Sequence, residues 1–382
     1  WHYPFENKDM FDKKFPADFI SEGVDQTRGW FYSLLVIGTF LFDEPTYKSC
    51  VSLELILDKD GKKMSKSVGN SVDPFELMDK YGADTLRWYL LTVSPPWLPT
   101  RFDEEGVKEV SRKFFGTLTN TFSFFAMYAN IDKFIYAADQ RIAVAERSEI
   151  DRWIMARLHS LVEQTIDHVD HYDLTKTARA ISDFVVDDLS NWYVRRSRRR
   201  FWKSEMGHDK SAAFQTLYEC LITVSKLMAP IAPFISEAIY GRLSADVENV
   251  EKSVHLCFYP KVGEAPVDYK DAILEERMHL VRRIVELGRS IRNDSALRVR
   301  QPLKSILIAA PDDRRSQLLQ GMENLIIEEL NIKEIRFIKD EGELQTKRAE
   351  PVFKKLGPKF GKLVNQAAEA IRSFGEAEID KI

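Results

Sequence analysis

The chain has 382 residues, of which 44% are hydrophobic, with a formal net charge of −4, and this length predicts two or three domains rather than one core. Its longest apolar run, residues 30–42, is shorter than the roughly 20 residues of a membrane span, and no signal peptide is recognisable. The three cysteines lie far apart in sequence, so we expect a reducing compartment, the cytoplasm, and neither a disulfide framework nor a zinc ribbon.

The first predicted elements are a strand and a helix joined by a glycine turn. Residues 19–20 are apolar and end the strand, and residues 30–42 have the pattern of a helix. Nucleotides bind to α/β sheets at such turns, because free backbone N–H groups at the helix start point towards the ligand. In this turn, Glu22 and Asp25 could accept hydrogen bonds from an ammonium or from ribose hydroxyls. A capped helix start would explain Asp25 equally well.

A basic loop follows the next predicted strand, residues 51–58. We name residues 61–70 the lysine loop, because residues 63–67 read Lys-Met-Ser-Lys-Ser. Ammonium groups on flexible stems can follow the negative charge that builds on pyrophosphate as it leaves a nucleoside triphosphate. Gly61 and Gly69 give both ends of the loop the freedom to open and close. The motif taken alone would also suit a solvated basic turn.

The two motifs together resemble those of class I aminoacyl-tRNA synthetases. Within that class, the Glu-Gly-x-Asp-Gln-x-Arg-Gly-Trp-Phe arrangement at residues 22–31 is similar to that of the isoleucyl-tRNA synthetases. The resemblance implies the C-terminal part of such an enzyme, and a first residue, Trp1, other than Met fits a piece of a longer protein. A valyl- or leucyl-type fragment is the alternative, because those enzymes share the lysine loop. They do not share the arrangement at residues 22–31, which favours the isoleucyl type.

The resemblance implies roles for the residues of the glycine turn. Glu22 would hold the amino group of isoleucyl-adenylate. Gly23, Asp25 and Gln26 would lie against the ribose and the adenylate. Trp30 would form part of the wall of the isoleucine pocket, and an ordinary place in a buried helix is the alternative for it.

The resemblance also implies catalytic roles in the lysine loop. Lys66 would contact the ATP phosphates, with Lys63 assisting. The expected ATP-binding residues of the loop are Lys63, Met64, Ser65, Lys66 and Ser67. ATP would enter as Mg-ATP, as a substrate, and we expect no metal ligands in this chain, whereas the rest of a longer protein could hold zinc.

Helical patterns dominate the middle of the chain. Asp73 and Pro74 predict the capped start of a helix, and residues 81–87 close it and begin another. The resemblance makes residues 1–100 the end of a Rossmann-type nucleotide-binding domain with a stem-contact region. Residues 101–260 then form an anticodon-binding α-helical bundle. Its predicted helices include residues 110–128, 150–169, 174–203 and 212–228, and after a break at Pro230 and Pro233 another helix runs to residue 243.

One predicted helix carries a basic stretch that we name the arginine segment, residues 192–203. Six positive residues and no negative residue stand among aromatic ones, so the segment could neutralise phosphates and stack on bases. Its Asn-Trp-Tyr-x-Arg-Arg pattern resembles the anticodon-binding domain of the same synthetases. The alternative is that the tryptophans are core residues and that some arginines pair with aspartates. The expected tRNA-binding residues are Trp192, Arg195, Arg196, Arg199, Arg200 and Lys203.

The last third predicts a small α+β tail, residues 261–382. Its elements are a helix at 271–292, strands at 305–310 and 334–338, and helices at 318–330 and 364–374. Arg298 and Arg300, before the first strand, either extend a basic surface or are ordinary surface residues.

The expected whole is therefore a mainly α fragment of an isoleucine–tRNA ligase. Its partners would be L-isoleucine, ATP and tRNA-Ile, without a membrane, and it would be a monomer. The sequence lacks the His-x-Gly-His signature of the class, and no editing domain is recognisable, so we expect no catalysis by this chain alone. Because one methylene allows only limited discrimination of isoleucine from valine, the resemblance implies that the longer protein also has an editing activity. A stand-alone RNA-binding module and a protein-docking role are the alternatives.

Overall fold

The protein is described from a computed structural model, which covers residues 2, 4–65, 67–309, 313–338 and 349–379. The chain divides into two compact units, residues 1–272 and 273–382. Most described residues are helical, which confirms the expectation of a mainly α protein. Across these described ranges, no helix is long and apolar enough to cross a membrane.

The first unit begins with two parallel strands joined by a crossover helix. The elements are α1 (Lys8–Lys14), β1 (Ala17–Gly23), a 3-10 turn (Val24–Arg28), α2 (Trp30–Phe42) and β2 (Tyr47–Leu53). The predicted helix at 30–42 is confirmed at both ends, and it stops at Asp43, whose φ of 57° is left-handed. Gly23 pairs with Leu53, so both strands end at the same edge of this sheet.

The predicted strand at 51–58 is wrong in its bounds. β2 starts at Tyr47 and leaves the ladder after Leu53, where the backbone N–H of Glu54 donates to the carbonyl of Pro96 at 2.9 Å. The proline-rich segment at 94–99 thus takes up the strand's next hydrogen bond. A second parallel pair follows, made by β3 (Ile56–Leu57) and β4 (Thr100–Arg101).

Three short helices surround the second strand pair. They are α3 (Pro74–Tyr81), α4 (Ala83–Val93) and α5 (Glu104–Val110). The predicted cap is confirmed, since the Asp73 carboxylate accepts a hydrogen bond from the Phe75 N–H at 2.8 Å with Pro74 in the first turn. Gly82, with φ of 86°, separates α3 from α4. These elements enclose an apolar cluster of Leu77, Leu86, Tyr89, Phe102 and Val107.

The remainder of the first unit is a helical bundle. Its helices are α6 (Gly116–Asp132), α7 (Glu149–Asp170), α8 (Leu174–Asp183), α9 (Arg195–Phe201), α10 (His208–Met228) and α11 (Pro233–Leu243). π-helical turns at Ser111–Phe115 and Phe184–Val194 connect α5 to α6 and α8 to α9, so each pair continues as one long helix. The predicted helices of this region are confirmed. Helix α10 is central, because from Ala212 to Met228 only Lys226 is not buried.

Helix α4 is fastened to this bundle by side chains of the 81–88 stretch. The Asp84 carboxylate accepts a hydrogen bond from the Ile235 N–H at 2.7 Å and so caps the first turn of α11. Arg87 donates to the carbonyl of Ile231 at 2.7 Å. Trp88, which is 1% exposed, donates through its indole N–H to Ser182 on α8 at 3.0 Å. Hydrogen bonds therefore join the strand-bearing part of the unit directly to the bundle.

The second unit pairs two parallel strands with short helices. Its elements are α12 (Ala272–Asp294), β5 (Leu303–Ala309), α13 (Asp313–Leu319), α14 (Glu323–Leu330), β6 (Ile332–Ile338), α15 (Phe353–Phe360), α16 (Val364–Arg372) and α17 (Glu376–Ile379). The predicted helix at 318–330 is wrong as a single element, because Gly321 with φ of 83° divides it. Both strands start two residues earlier than predicted, and residue 310, the predicted end of the first, lies outside the described residues.

Candidate functional site

The glycine turn leaves the carboxyl end of β1. Glu22 is the penultimate residue of β1 and is exposed, and one carboxylate oxygen accepts a hydrogen bond from the Gly23 N–H at 3.3 Å. A Cβ at Gly23 would lie 2.6 Å from a carboxylate oxygen of Asp25, so a larger residue requires that carboxylate to move. The turn therefore presents two acidic side chains at the sheet edge where α/β folds bind nucleotides.

Gln26 is the residue that organises the start of α2, a role that the sequence analysis did not assign. Its side-chain oxygen accepts a hydrogen bond from the Trp30 N–H at 2.9 Å, and its amide donates to Asp25 at 3.1 Å. A Cβ at Gly29 would lie 2.8 Å from the same Gln26 oxygen. Capping by a glutamine four residues before the first helical residue is outside the usual Ser, Thr, Asp and Asn pattern, and the sequence offered only Asp25, as an alternative, for a cap.

Trp30 lies on a helix that is apolar all round and largely open. Its side chain is 45% exposed, so among the described residues it is not a core residue. Only Phe31 and Gly38 of α2 are buried. The exposed apolar residues of this helix also include Tyr32, Leu35, Val36, Ile37, Phe40 and Leu41.

The lysine loop is braced at its base by two side chains. Asp58 accepts hydrogen bonds from the backbone N–H groups of Asp60 at 3.0 Å and Lys62 at 2.8 Å. Asn70 donates to the second Asp58 oxygen at 2.8 Å and to the carbonyl of Lys63 at 3.3 Å. The hydrogen bond from Asn70, followed by that from the Lys62 N–H, lowers the pKa of Asp58 below its ordinary value. We name Asp58 and Asn70 the loop brace.

Within the loop, the described residues form a compact turn, and its two described lysines, Lys62 and Lys63, are exposed. Asn70 accepts a hydrogen bond from the Ser65 N–H at 2.9 Å, and the hydroxyls of Ser65 and Ser67 lie 2.6 Å apart. Met64 packs against the apolar cluster around α3 and α4. Lys63 is exposed, and Lys66, the predicted phosphate ligand, lies outside the described residues.

The glycine turn and the lysine loop both follow the paired parallel strands β1 and β2. β1 ends in the turn, and β2 ends beside it before the chain passes through β3 to the loop. Over the described residues, no hydrogen bond joins the turn to the loop. The acidic side chains of the turn and the described lysines of the loop are therefore carried by two neighbouring, parallel strands of one chain segment.

The arginine segment divides between core and surface. Arg200 forms a bidentate ion pair with Asp151 at 2.7 and 2.6 Å, and these two side chains are 13% and 0% exposed. Asp151 also accepts a hydrogen bond from the Tyr193 hydroxyl at 2.7 Å, and burial raises the pKa of that phenol well above its ordinary value. Arg200 thus has a structural partner from α7, while Lys203 pairs with Asp209 at 3.3 Å on the surface.

Trp192 lies beneath two arginines of the same helix. The indole is 5% exposed, and the guanidinium carbons of Arg195 and Arg196 are each 5.7 Å from the centre of its ring. Arg199 and the neighbouring Arg198 are exposed. The buried tryptophan therefore supports the basic face from below instead of offering an open ring to a base.

No cluster for a metal ion occurs in the part of the chain that the structure describes. Groups of three or more His, Cys, Asp and Glu side chains that could hold a metal were found at none of the covered positions.

Two family models match the chain. Residues 1–100 match the family described as tRNA synthetases class I (I, L, M and V), and residues 151–308 match the anticodon-binding domain of tRNA ligase. The first match contains the glycine turn and the lysine loop, and the second contains the arginine segment. Both matched families are those of tRNA synthetases, and the first is the class I family.

Within this family, the whole chain is similar to isoleucine–tRNA ligases. It is 50% identical to that of Cytophaga hutchinsonii over 100% of this chain and 34% of the relative. Identity is 48% to the ligase of Porphyromonas gingivalis and 46% to that of Clostridium tetani, over 99% of this chain and 33% and 36% of the relatives. The chain spans about a third of the length of these relatives.

Solved structures of another synthetase share the fold. Mycobacterium tuberculosis methionyl-tRNA synthetase in complex with methionyl-adenylate is 23% identical, with a TM-score of 0.51 over 68% of this chain and 53% of that chain. A crystal structure of that enzyme bound by methionyl-adenylate is 24% identical, with a TM-score of 0.50 over 62% and 46% of the two chains. At this identity the likeness concerns the fold alone.

Proposed function

We propose that the chain is part of an isoleucine–tRNA ligase. Such an enzyme activates L-isoleucine with Mg-ATP to isoleucyl-adenylate and then transfers the isoleucyl group to tRNA-Ile. The observation that carries the proposal is the presence of the glycine turn and the lysine loop on connected strand ends, in a chain similar to isoleucine–tRNA ligases over its whole length.

In the first step, the isoleucine carboxylate attacks the α-phosphorus of ATP, and the bond to pyrophosphate breaks. Negative charge gathers on the departing pyrophosphate, where Lys63 and Lys66 would stabilise it. The reaction needs no protein nucleophile, because positioning and charge stabilisation supply the acceleration. Lys63 is exposed and its carbonyl is held by Asn70, which supports this role.

The glycine turn would hold the other end of the adenylate. Glu22 is exposed at the strand end and suits the ammonium group of isoleucine. Gly23, Asp25 and Gln26 would face the ribose and the adenylate, with Asp25 oriented by the Gln26 amide. The half-exposed Trp30, four residues after Gln26, would line the isoleucine pocket.

The remaining regions would bind the tRNA. Residues 101–260 would form the anticodon-binding bundle and residues 261–382 a tail domain. On the bundle, the arginine segment would meet phosphates through Arg195, Arg196, Arg199 and Lys203, while Arg200 would act by holding the segment to α7. We place the protein in the cytoplasm, where translation occurs, and propose that it is a monomer.

The proposal is tested in a chimera in which this chain replaces the matching third of the Cytophaga hutchinsonii ligase. The chimera should support isoleucine-dependent exchange of pyrophosphate into ATP, whereas this chain alone should not. Lys66→Ala in the chimera should lower the exchange rate by about 100-fold to 1000-fold, a range typical of losing one transition-state charge partner. Isoleucine binding should change much less.

Lys62→Ala is the matched control, because it removes a lysine of the same loop outside the motif. Its exchange rate should stay within about twofold of the parent chimera. Equal rates for all three proteins would refute the role of the loop. Exchange that depends on valine or leucine in place of isoleucine would refute the assigned substrate.

A further inference from the structure

In the second unit, a buried arginine holds a loop in place through main-chain carbonyls instead of pairing with a carboxylate. Arg292, at 3% exposure, donates to the carbonyls of Arg298 at 3.0 Å and Gln301 at 3.0 Å. It also donates to the carbonyls of Leu330 at 2.7 Å and Asn331 at 3.2 Å. Across the described residues, every hydrogen-bond partner of this guanidinium is a main-chain carbonyl. Its fixed fork of donors therefore determines the path of the loop.

Asn331 fixes the same loop from the other side. Its side-chain amide donates to the carbonyls of Val299 at 3.0 Å and Arg300 at 3.1 Å. The residue has φ of 49°, a left-handed conformation that asparagine tolerates. Together with Arg292, it takes up the four successive carbonyls of residues 298–301. We name residues 297–302 the tail loop.

Because its carbonyls turn inward, the tail loop displays side chains outward. Arg298 and Arg300 are both exposed, and in the described part of the chain no carboxylate pairs with either. Rotamer freedom remains in the side chains, but the backbone that carries them is already ordered. A charged ligand would therefore meet two arginines whose positions are set before binding, which reduces the entropic cost.

Two lysines add to the positive charge at this end of the sheet. The strand register puts Lys304 opposite Lys333, since Leu303–Ile332 and Ser305–Glu334 are the flanking pairs. Both lysines are exposed. Like charges directly opposite each other destabilise a sheet. Of the nearby carboxylates, Glu334 already pairs with Arg336, and Asp294 is at the end of α12.

We infer that the tail loop is a second phosphate-binding surface for tRNA, formed by Arg298 and Arg300 with Lys304 and Lys333 beside them. This inference rests on the proposed function, which supplies tRNA as the polyanion. Guanidinium groups suit phosphate because their planar forks bind its oxygens in pairs. An anion also relieves the repulsion between the two lysines.

The test is binding of the 382-residue chain to a tRNA-Ile transcript over a series of salt concentrations. For Arg298→Ala/Arg300→Ala, the slope of log affinity against log salt should become shallower by about 1.4 to 1.8, from two lost phosphate contacts. The control is Arg283→Ala/Arg314→Ala, which removes the same charge from arginines that already pair with Glu286 and Glu276. Its slope should match that of the unmodified chain.

The variant Asn331→Gly tests the order of the tail loop without changing its charge. Glycine accepts the left-handed backbone but removes the amide that holds Val299 and Arg300, so affinity should fall while the salt slope is retained. Identical slopes for the double variant and its control, with the unmodified chain still binding tRNA, would overturn the inference and leave the proposed function standing. No binding by the unmodified chain would overturn the inference, while pyrophosphate exchange by the chimera would still decide the proposed function. Loss of binding to polyglutamate but not to tRNA would assign the surface to an acidic protein and also overturn the inference.

Discussion

The lysine loop and the arginine segment are both rich in positive charge, but the structure supports that charge in different ways. In the lysine loop the supporting side chains are Asp58 and Asn70, which bind the backbone and leave Lys63 exposed. In the arginine segment a cation itself provides support, because Arg200 enters the core to meet Asp151. Other cations of that segment stay at the surface on a helix fixed by this pair.

The difference reflects what each backbone needs. A helix satisfies its own hydrogen bonds, so its side chains are available to join it to neighbouring helices. A loop does not, and its backbone groups need partners from side chains such as aspartate and asparagine. The charge of the exposed Lys63 in the loop is therefore available to a ligand, while part of the charge in the helix contributes to stability.

Removing the buried cation should have the largest effect. Arg200→Ala leaves the Asp151 carboxylate buried without its bidentate partner, and we expect a loss of about 3 to 5 kcal/mol in unfolding free energy. Urea unfolding followed by tryptophan fluorescence measures this, because all seven tryptophans lie in residues 1–272 and report on the first unit.

Arg199→Ala is the matched control, one residue away on the same helix and exposed. Its unfolding free energy should stay within about 0.5 kcal/mol of the parent. If both variants lost the same stability, the division of the segment into core and surface would be wrong.

This division could not be read from the sequence, although the segment itself could. The sequence predicts that the segment lies on one helix, and the helix is confirmed. Which arginine turns inward depends on Asp151, 49 residues earlier on α7, and no local pattern reveals such a partner. Pairing of some arginines with upstream aspartates was predicted, but not this pair.

The same limit applies to the loop and the turn. The motif of the lysine loop and the cap at Asp73 depend on neighbours in sequence, so both were predictable. The Asn70–Asp58 bond spans twelve residues and the role of Gln26 depends on the unusual entry into α2, so neither was predicted. Strand bounds failed for a related reason, since Pro96 draws Glu54 out of the ladder.

Breaking the loop brace should have the next largest effect. Asn70→Ala removes hydrogen bonds to Asp58, to the Lys63 carbonyl and from the Ser65 N–H, together worth about 1 to 3 kcal/mol of local order. The open loop should then be more frequent, and trypsin should cleave after Lys62 or Lys63 about 5-fold to 100-fold faster under native conditions.

Ser67→Ala is the control for this variant, because the Ser67 hydroxyl contacts only the nearby Ser65 hydroxyl among the described residues. Its cleavage rate should stay near that of the parent. In the chimera, Asn70→Ala should also slow pyrophosphate exchange, and Ser67 is left out of that comparison because it belongs to the expected ATP site. An unchanged cleavage rate for Asn70→Ala would show that the brace does not order the loop.

A smaller effect is expected from the apolar anchor of the loop. Met64 packs, partly buried, against the cluster of Leu77, Leu86 and Tyr89, so Met64→Ala should cost about 1 to 2 kcal/mol, below the range for a fully buried methionine. Fluorescence-detected urea unfolding again reports it. Met64→Leu should recover most of the loss, since the two side chains have similar volumes. No recovery would mean that packing is not what Met64 contributes.

The smallest effect is expected from the surface charge of the arginine segment, and it is an effect on tRNA binding rather than on stability. If exposed Arg199 meets a phosphate, Arg199→Ala should make the salt slope for tRNA-Ile binding shallower by about 0.7 to 0.9 without changing stability. Lys176→Ala is the control, an exposed lysine of α8 that pairs with Asp173. Counterion release counts phosphate contacts and not net charge, so the control should leave the slope unchanged. Equal changes in both variants would reduce the segment to a source of general positive potential, and the lysine loop would then be the more specific of the two cationic regions.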